Sequence, residues 1–344
     1  VRILLVTQMW PSSETPDLGS FLVPIRDELE RSGHEVEVVA ISRRGGPPTE
    51  YAQLSVNAVA AALRRRPDVI FAHFLYPAGA AGALASLAAR RPLVVMAHGQ
   101  DVANLGEITG ALAGTRAVVA RARGVIANSR WLADRLVEKI PAALPKLEIA
   151  NCGIDLDAFR PVPQAEARRA LGGEWEGSAF VCVGSLIERK NVIRLADAFQ
   201  RLGHGRLTFV GDGPLRAALE GRPAVTITGR IPQAEVPAWI AASDVLCQPS
   251  LIEPFGQATL EGMAMERSVV ATRVGGPPEF VPPEAGVLVD PLATDELTAA
   301  LERATAMPSP NPAARVAAGE QDVTRQAGKM AAVLGRAAEA GAPA

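Results

Sequence analysis

Cysteine is scarce in this 344-residue chain: there are three, Cys152, Cys182 and Cys247, an odd number at wide spacings. That pattern excludes a disulfide framework or a zinc knuckle and predicts free thiols in a reducing compartment. Cys182 and Cys247 fall inside apolar, strand-like runs, where a small buried hydrophobe is the ordinary use of the residue. No His/Asp/Glu cluster at metal-ligand spacing takes their place, so neither a metal nor another cofactor is expected. Long apolar runs are missing as well, each broken by charge or proline short of the ~20 residues needed to span a bilayer. The opening run VRILLVT passes at once into polar, proline-rich sequence and reads as a buried first strand, not a leader. A soluble, cytoplasmic protein is the expectation; peripheral membrane contact and oligomeric state stay open.

Neither sign of charge dominates. Lys and Arg number 35 against 37 Asp and Glu, a net charge of -2, so the footprint of a nucleic-acid or anionic-membrane partner is absent. Arginine clusters at Arg64 to Arg66, Arg90 and Arg91, and Arg116 to Arg123 are offset by acidic residues and read as solvated helix faces. No repeat of short period is visible.

What is present is enough apolar material, 48% of the chain, for two full cores, at a length beyond the ~100–200 residues of one ordinary domain. The first third repeats one pattern of apolar run, turn and alanine-rich helix. Strands are expected at Val1 to Thr7, Glu35 to Ile41, Val69 to His73, Leu93 to Ala97 and Gly124 to Ala127, with helices such as Phe21 to Ser32 and Val56 to Arg65. Apolar strands alternating with helices predict a parallel, doubly wound sheet. The pattern restarts with strands at Phe180 to Gly184, Leu207 to Val210, Val225 to Thr228, Val245 to Cys247, Val269 to Thr272 and Gly286 to Val289. Helices are expected at Val192 to Arg201 and Pro214 to Leu219. Cys152 to Gly173 reads as a linker, and a last helix is expected from about Thr324 to Ala338. The expected division is 1–155, 156–323 and a crossover helix with tail, 324–344, packing back on the first domain.

Five segments are candidates for the chemistry. The run from Glu253 to Glu261 follows a strand and a turn and leads into a helix. Gly256 at the helix mouth lets a ligand approach the backbone, and the free N–H groups there favour an anion. A carboxylate one or two turns in, Glu261, suits a ribose diol. Taken alone, the two glutamates read equally as a loop charge and an exposed helix charge. In Val183 to Asn191, Arg189 and Lys190 stand together at an expected helix start, where like charges oppose the dipole unless an anion such as a diphosphate is bound; on this segment alone they read equally as two solvent-facing bases. His98 and Asp101 follow the fourth strand directly, at the carboxyl end where open parallel sheets bind ligands. Gly19, in the long turn after the first strand, suits close approach of a phosphate, and the Gly211–Pro214 and Gly229–Pro232 segments each follow a strand.

In order and spacing, GSLIERKN, GDGP, GRI, PSLIEPFGQATLE, GGPPE and GVLVDP resemble the second half of the retaining glycosyltransferases of the group 1 / family 4 type. GSF, SGHEVEV, HGQD, NSRWLADRL and NCGIDLDAF extend the resemblance over the first half. It implies an α/β, GT-B architecture: two Rossmann-like, doubly wound domains facing across a cleft. The two-domain pattern and the split site predict that the domains close on donor binding. It also implies transfer of a sugar from a nucleoside diphosphate, UDP before GDP, to a hydroxyl acceptor on a polysaccharide, glycolipid or secondary metabolite.

By resemblance, Arg189 and Lys190 hold the diphosphate, with Gly184 and Gly19 beside the phosphates. Glu253 meets the transferred sugar and Glu261 the ribose. Phe255, Gly256, Gln257, Ala258 and Thr259 lie along the donor, Arg230 and Ile231 against the base, and His98 by the sugar and the reacting centre, with Asp101 shaping the His98 loop and counted among the donor-binding residues. The implied front-face displacement is metal-independent and relies on orientation and charge stabilisation.

Three positions depart from the family pattern: Asn191 for a glycine, Met265-Glu266-Arg267 after the second glutamate's helix, and Gln321 to Thr324 for an aromatic-containing segment. The competing readings are an NAD-dependent oxidoreductase, a non-catalytic nucleotide-sugar binder and a sugar-nucleotide epimerase. The first needs a G-x-G-x-x-G after an early strand, and none is there.

Overall fold

The computed structural model describes residues 1–43, 47–173, 175 and 177–341; the end of the expected tail, 342–344, lies outside them. Two compact units are present, Val1–Gly153 with Val323–Ala344, and Ile154–Asp322.

The first unit contains β1 (Arg2–Thr7), α1 (Val23–Arg31), β2 (Glu35–Ala40), α2 (Thr49–Arg65), β3 (Val69–His73), α3 (Ala78–Ala89), β4 (Leu93–Ala97), α4 (Gln100–Ala103), α5 (Ala111–Arg121), β5 (Gly124–Ala127), α6 (Arg130–Lys139) and β6 (Leu147–Ile149). Its six strands run parallel in the order β2-β1-β3-β4-β5-β6. Side chains alternate along a strand, so each apolar run feeds two cores. Leu4, Ile70 and Val95 pack with Leu54 and Ala58 of α2 and Ala81 of α3. Ile3, Phe71 and Met96 pack on the other face with Ile25 and Leu29 of α1 and with Met330 and Leu334 near the C-terminus.

The second unit contains α7 (Gln164–Ala170), β7 (Ala179–Val183), α8 (Val192–Leu202), β8 (Arg206–Val210), α9 (Arg216–Leu219), β9 (Val225–Ile227), α10 (Val236–Ala242), β10 (Val245–Gln248), α11 (Gln257–Ala264), β11 (Ser268–Thr272), β12 (Gly286–Val289), α12 (Thr294–Thr305) and α13 (Pro312–Gly319). Its order is β12-β11-β10-β7-β8-β9, again parallel. The last helix, α14 (Val323–Ala340), belongs to the first unit and packs on α1. In each sheet the strand order reverses next to the first strand of the series, between β1 and β3 and between β7 and β10. Ligands of open α/β sheets bind at such switch points, outside the carboxyl ends of the strands.

Several boundaries differ from the sequence reading. β6 was not anticipated; its three residues are half-buried or exposed at a sheet edge and carry no apolar run. The helix expected from Val56 begins at Thr49, and its first turns are mostly exposed polar residues. The Cys152–Gly173 segment is not a plain linker, because α7 forms within it. Arg189 and Lys190 do not open an α-helix: they lie in a 3-10 turn, Glu188–Lys190, and α8 starts after Asn191.

Two departures from the family pattern acquire a physical account. Asn191 sits at φ 57, in the left-handed region that Asn tolerates. Its amide donates to the Pro249 and Pro291 carbonyls at 3.0 and 2.7 Å, joining three loops. Glu266, just past the end of α11, also has a left-handed φ, 58, at a place glycine ordinarily takes. Replacing Glu266 with Gly is expected to raise stability by about 0.5–1 kcal/mol, by removing the Cβ–carbonyl clash. Chemical denaturation measures it; a loss of stability would mean that the Glu266 side chain is needed to seat buried Arg267.

Candidate functional site

In the second unit the residues singled out from sequence converge at the switch point. Lys190 comes from the loop after β7, and Glu253 from the loop after β10. Lys190 Nζ lies 2.6 Å from Glu253 Oε2, with side chains 15% and 10% exposed. Ser250 Oγ donates to the same carboxylate oxygen at 3.0 Å, and Arg189 stands 3.9 Å from the other. Gln248, at the end of β10, completes the ring. With its amide oriented to suit its neighbours, it donates to the Val183 carbonyl and accepts from Lys190, each at 3.1 Å. Burial pushes the Glu253 carboxyl upward, but the charges of Lys190 and Arg189 and the hydrogen bonds from Lys190 and Ser250 outweigh it. Glu253 is held below the usual carboxylate range.

Glu261 is the opposite case. It lies on α11 and is buried, and no hydrogen bond or ion pair from the described residues reaches its carboxylate. Burial pushes its pKa up to about 8, against a weaker pull from Lys190. The exposed helix charge that the sequence also allowed is therefore excluded. Gly256, at φ 112, stands at the mouth of α11 and makes no side-chain cap, so the first-turn N–H groups of Ala258 and Thr259 have no intrahelical acceptor. The Thr259 hydroxyl is fully buried and has no partner among the described residues. Phe255 is buried against Phe280, with ring centroids 5.3 Å apart.

Glycines fit these loops together. A Cβ on Gly275 would lie 2.0 Å from the Glu253 carbonyl oxygen, and one on Gly276 would lie 2.6 Å from that of Phe255. This pair seats the Glu253 loop, a role the sequence reading left unassigned. A Cβ on Gly211 would lie 2.0 Å from the Gly184 carbonyl oxygen, and Gly211 also bridges Gly229. The loops carrying Gly184, Gly211 and Gly229 are thus neighbours at the carboxyl ends of β7, β8 and β9. Beyond Gly229, Arg230 is exposed and Ile231 half-buried.

The first unit brings together a second group. Asp101 is buried, and its carboxylate accepts from the backbone N–H groups of Leu75, His98, Gly99 and Val102 at 2.9, 3.1, 2.8 and 3.1 Å. These contacts make it the residue that shapes the His98 loop. His98 is half-buried between the rings of Phe74 and Phe21, at 4.5 and 5.4 Å, and Phe21 follows Gly19 by two residues. Its Nε2 is 3.0 Å from His73 Nδ1, and its Nδ1 is 3.8 Å from Cys152 Sγ. Desolvation lowers the His98 pKa to about 3, so the imidazole is neutral at ordinary pH. Gly19 is left-handed at φ 70, and a Cβ there would meet the Met9 carbonyl oxygen at 2.5 Å.

His73, Gln248 and Ser250 escaped the sequence reading. The available signal was a polar residue closing an apolar strand, as in VIFAH and VLCQ. Among the described residues no group of His, Cys, Asp and Glu is arranged to hold a metal ion. No described helix is long and apolar enough to cross a membrane.

Two parallel six-stranded sheets, each flanked by helices, define the GT-B class of protein. Sucrose-phosphate synthase from Thermosynechococcus elongatus superposes with a TM-score of 0.80 over 98% of this chain and 99% of that one, at 20% identity. Anabaena HepE in complex with UDP-glucose does so at 0.76 over 97% and 99%, at 24% identity. Residues 177–306 match the family model Glycosyl transferases group 1, and residues 20–158 match Glycosyltransferase Family 4. The chain thus carries a group 1 glycosyltransferase domain over residues 177–306 and a family 4 glycosyltransferase domain over residues 20–158. A Bacillus subtilis (strain 168) glycosyltransferase named for teichuronic acid biosynthesis, TuaC, is 27% identical over 88% of this chain and 89% of its own. Arabidopsis thaliana sulfoquinovosyl transferase is 34% identical over 41% of this chain, a match spanning 28% of that protein.

Proposed function

We propose that the chain transfers a glycosyl unit from a nucleoside diphosphate sugar, UDP before GDP, to a carbohydrate, lipid or small-molecule hydroxyl, with retention of configuration and without a metal. The observation that carries this reading is the buried Lys190–Glu253 pair beside Arg189, at the switch point of the second unit, with the unpartnered Glu261 carboxylate on the adjoining helix. Lys190 and Arg189 offer a point charge and a fork to the diphosphate, and the N-terminus of α11 adds backbone donors. Glu253, held ionised, accepts from sugar hydroxyls, and Glu261 accepts from the ribose diol. Gly184 and Gly19 leave room for phosphates, and Arg230 and Ile231 flank the base. In the reaction the anomeric C–O bond to the diphosphate breaks and the acceptor oxygen bonds to the same face. The acceptor proton passes to the departing phosphate oxygen, so catalysis rests on charge stabilisation and alignment. HepE was solved with UDP-glucose, which favours UDP as the donor nucleotide.

Thermal shift with UDP, GDP, ADP, dTDP and NAD tests the donor. A rise selective for one nucleoside diphosphate and lost in Glu261→Ala is expected; a rise with NAD alone sinks the reading. With the selected sugar nucleotide, the anomeric proton coupling of the product reports retention. Binding without turnover on any acceptor would identify a non-catalytic binder, and isomerised donor without acceptor an epimerase.

A further inference from the structure

His73 closes β3 and is fully buried, with its Nδ1 3.0 Å from His98 Nε2 and its own Nε2 without a partner among the described residues. The contact arises from register: His73 pairs with Met96, which places His98, two residues later, beside it. Phe74 follows at φ 77, a left-handed conformation that is costly for a bulky side chain. Its N–H donates to the Met96 carbonyl at 2.8 Å, and its ring covers His98. The chain thus accepts backbone strain where it clamps this pair.

Two neutral proton arrangements satisfy the 3.0 Å contact. If His98 Nε2 carried the proton, His73 would have to carry its own on Nε2, a buried N–H with no acceptor. If His73 Nδ1 carries it, the unpartnered atom is only a lone pair. Orphaned buried N–H groups are the rarer and costlier of the two. The second arrangement leaves His98 with a proton on Nδ1, facing the Cys152 sulfur at a long 3.8 Å.

We propose that His73 is a positioning residue: by donating from Nδ1 to His98 Nε2, it fixes His98 as the neutral Nδ1–H tautomer. The proposal rests on the placement of His98 at the donor. His98 then has a hydrogen to offer and no free lone pair. It binds an oxygen acceptor, a sugar hydroxyl or a phosphoryl oxygen, in place of the weak sulfur contact, and it does not act as a general base.

Proton–nitrogen NMR of protein labelled at its four histidines, with His98 assigned by substitution, reads the tautomer directly. The expected result is a protonated Nδ1 and a bare Nε2 on His98. In His73→Phe the bare Nε2 signature disappears and kcat falls about tenfold with donor KM little changed. In His73→Asn, whose amide N–H replaces Nδ1–H, the signature and most of the rate return. A protonated His98 Nε2 in the parent protein, or a tautomer indifferent to His73→Phe, overturns the proposal. Failure of the underlying placement looks different. His98 signals unmoved by UDP-glucose, GDP-mannose or ADP-glucose, with Nδ1 still protonated, would leave the tautomer assigned and remove His98 from the donor site.

Discussion

Replacing Lys190 with alanine is expected to destabilise the free protein by about 3–5 kcal/mol and to weaken nucleoside diphosphate binding by ~1.5–3 kcal/mol. The first figure is the usual cost of leaving one partner of a buried pair uncompensated. Glu253 is 8% exposed, and its nearest remaining cation, Arg189, is 3.9 Å away and half in solvent. The second is the range for a hydrogen bond to a charged group. The two effects separate in Lys190→Ala/Glu253→Gln, where no buried charge is stranded: most of the stability returns and the affinity does not. Dependence on pH gives an independent check. In the parent protein the Glu253 pKa is depressed, so its contribution is present above the ordinary carboxylate value and lost as pH falls through the folded one. Without Lys190 the desolvation that already pushes Glu253 upward has less opposition, and the folded pKa is expected above the ordinary value. The Glu253 contribution then declines as pH rises above the ordinary carboxylate value, the reverse of the parent's slope. Denaturation across that window and calorimetry with UDP and GDP measure both. Unchanged affinity for each would remove Lys190 from the site.

The strands were legible because both faces of each sheet are buried. Runs such as ILLV and VIFA stay apolar at consecutive positions, and their alternate residues feed separate cores. The segment at Leu147–Ile149 lacks that signal because it closes an edge. The glutamates of the second unit were visible as residue types, but their states were not. α11 is buried at Leu260, Glu261, Gly262 and Met263 in succession, so periodicity could not say whether Glu261 faces water. The pairing of Lys190 with Glu253 bridges 63 residues and depends on β7 lying beside β10, which no local pattern states. The same holds for His73 and His98, 25 residues apart and joined by the register of β3 on β4. Resemblance supplied roles for residues whose geometry the sequence left blank. Where the chain departs from its family, as at Asn191, the substituting side chain performs a local task of its own.

Glu261→Gln is expected to stabilise the protein and to impair it. A buried carboxyl with a pKa of about 8, against an ordinary 4.5, favours folding fully only when protonated, and that contribution is lost as pH rises through the folded value. At pH 7 the cost of retaining this acid is about 3 kcal/mol. The amide, which needs no proton, should recover a large part of it, and the gain should vanish near pH 4. Nucleotide binding should move the other way, weakening by ~1.5–3 kcal/mol if the carboxylate accepts from the ribose diol. Only the ionised form accepts twice, so binding must expel a proton from most molecules at pH 7. Affinity should then increase as pH approaches 8 in the parent protein and be flat in Glu261→Gln. The calorimetric enthalpy should follow the ionisation enthalpy of the buffer. A buffer-independent enthalpy would mean that Glu261 stays protonated and meets the nucleotide as a donor, or does not meet it. An unstabilised Glu261→Gln would mean that its carboxyl is solvated in a way the buried helix face does not suggest. Both expected results together would place stored instability at the position where the ribose is held, to be released when the donor arrives.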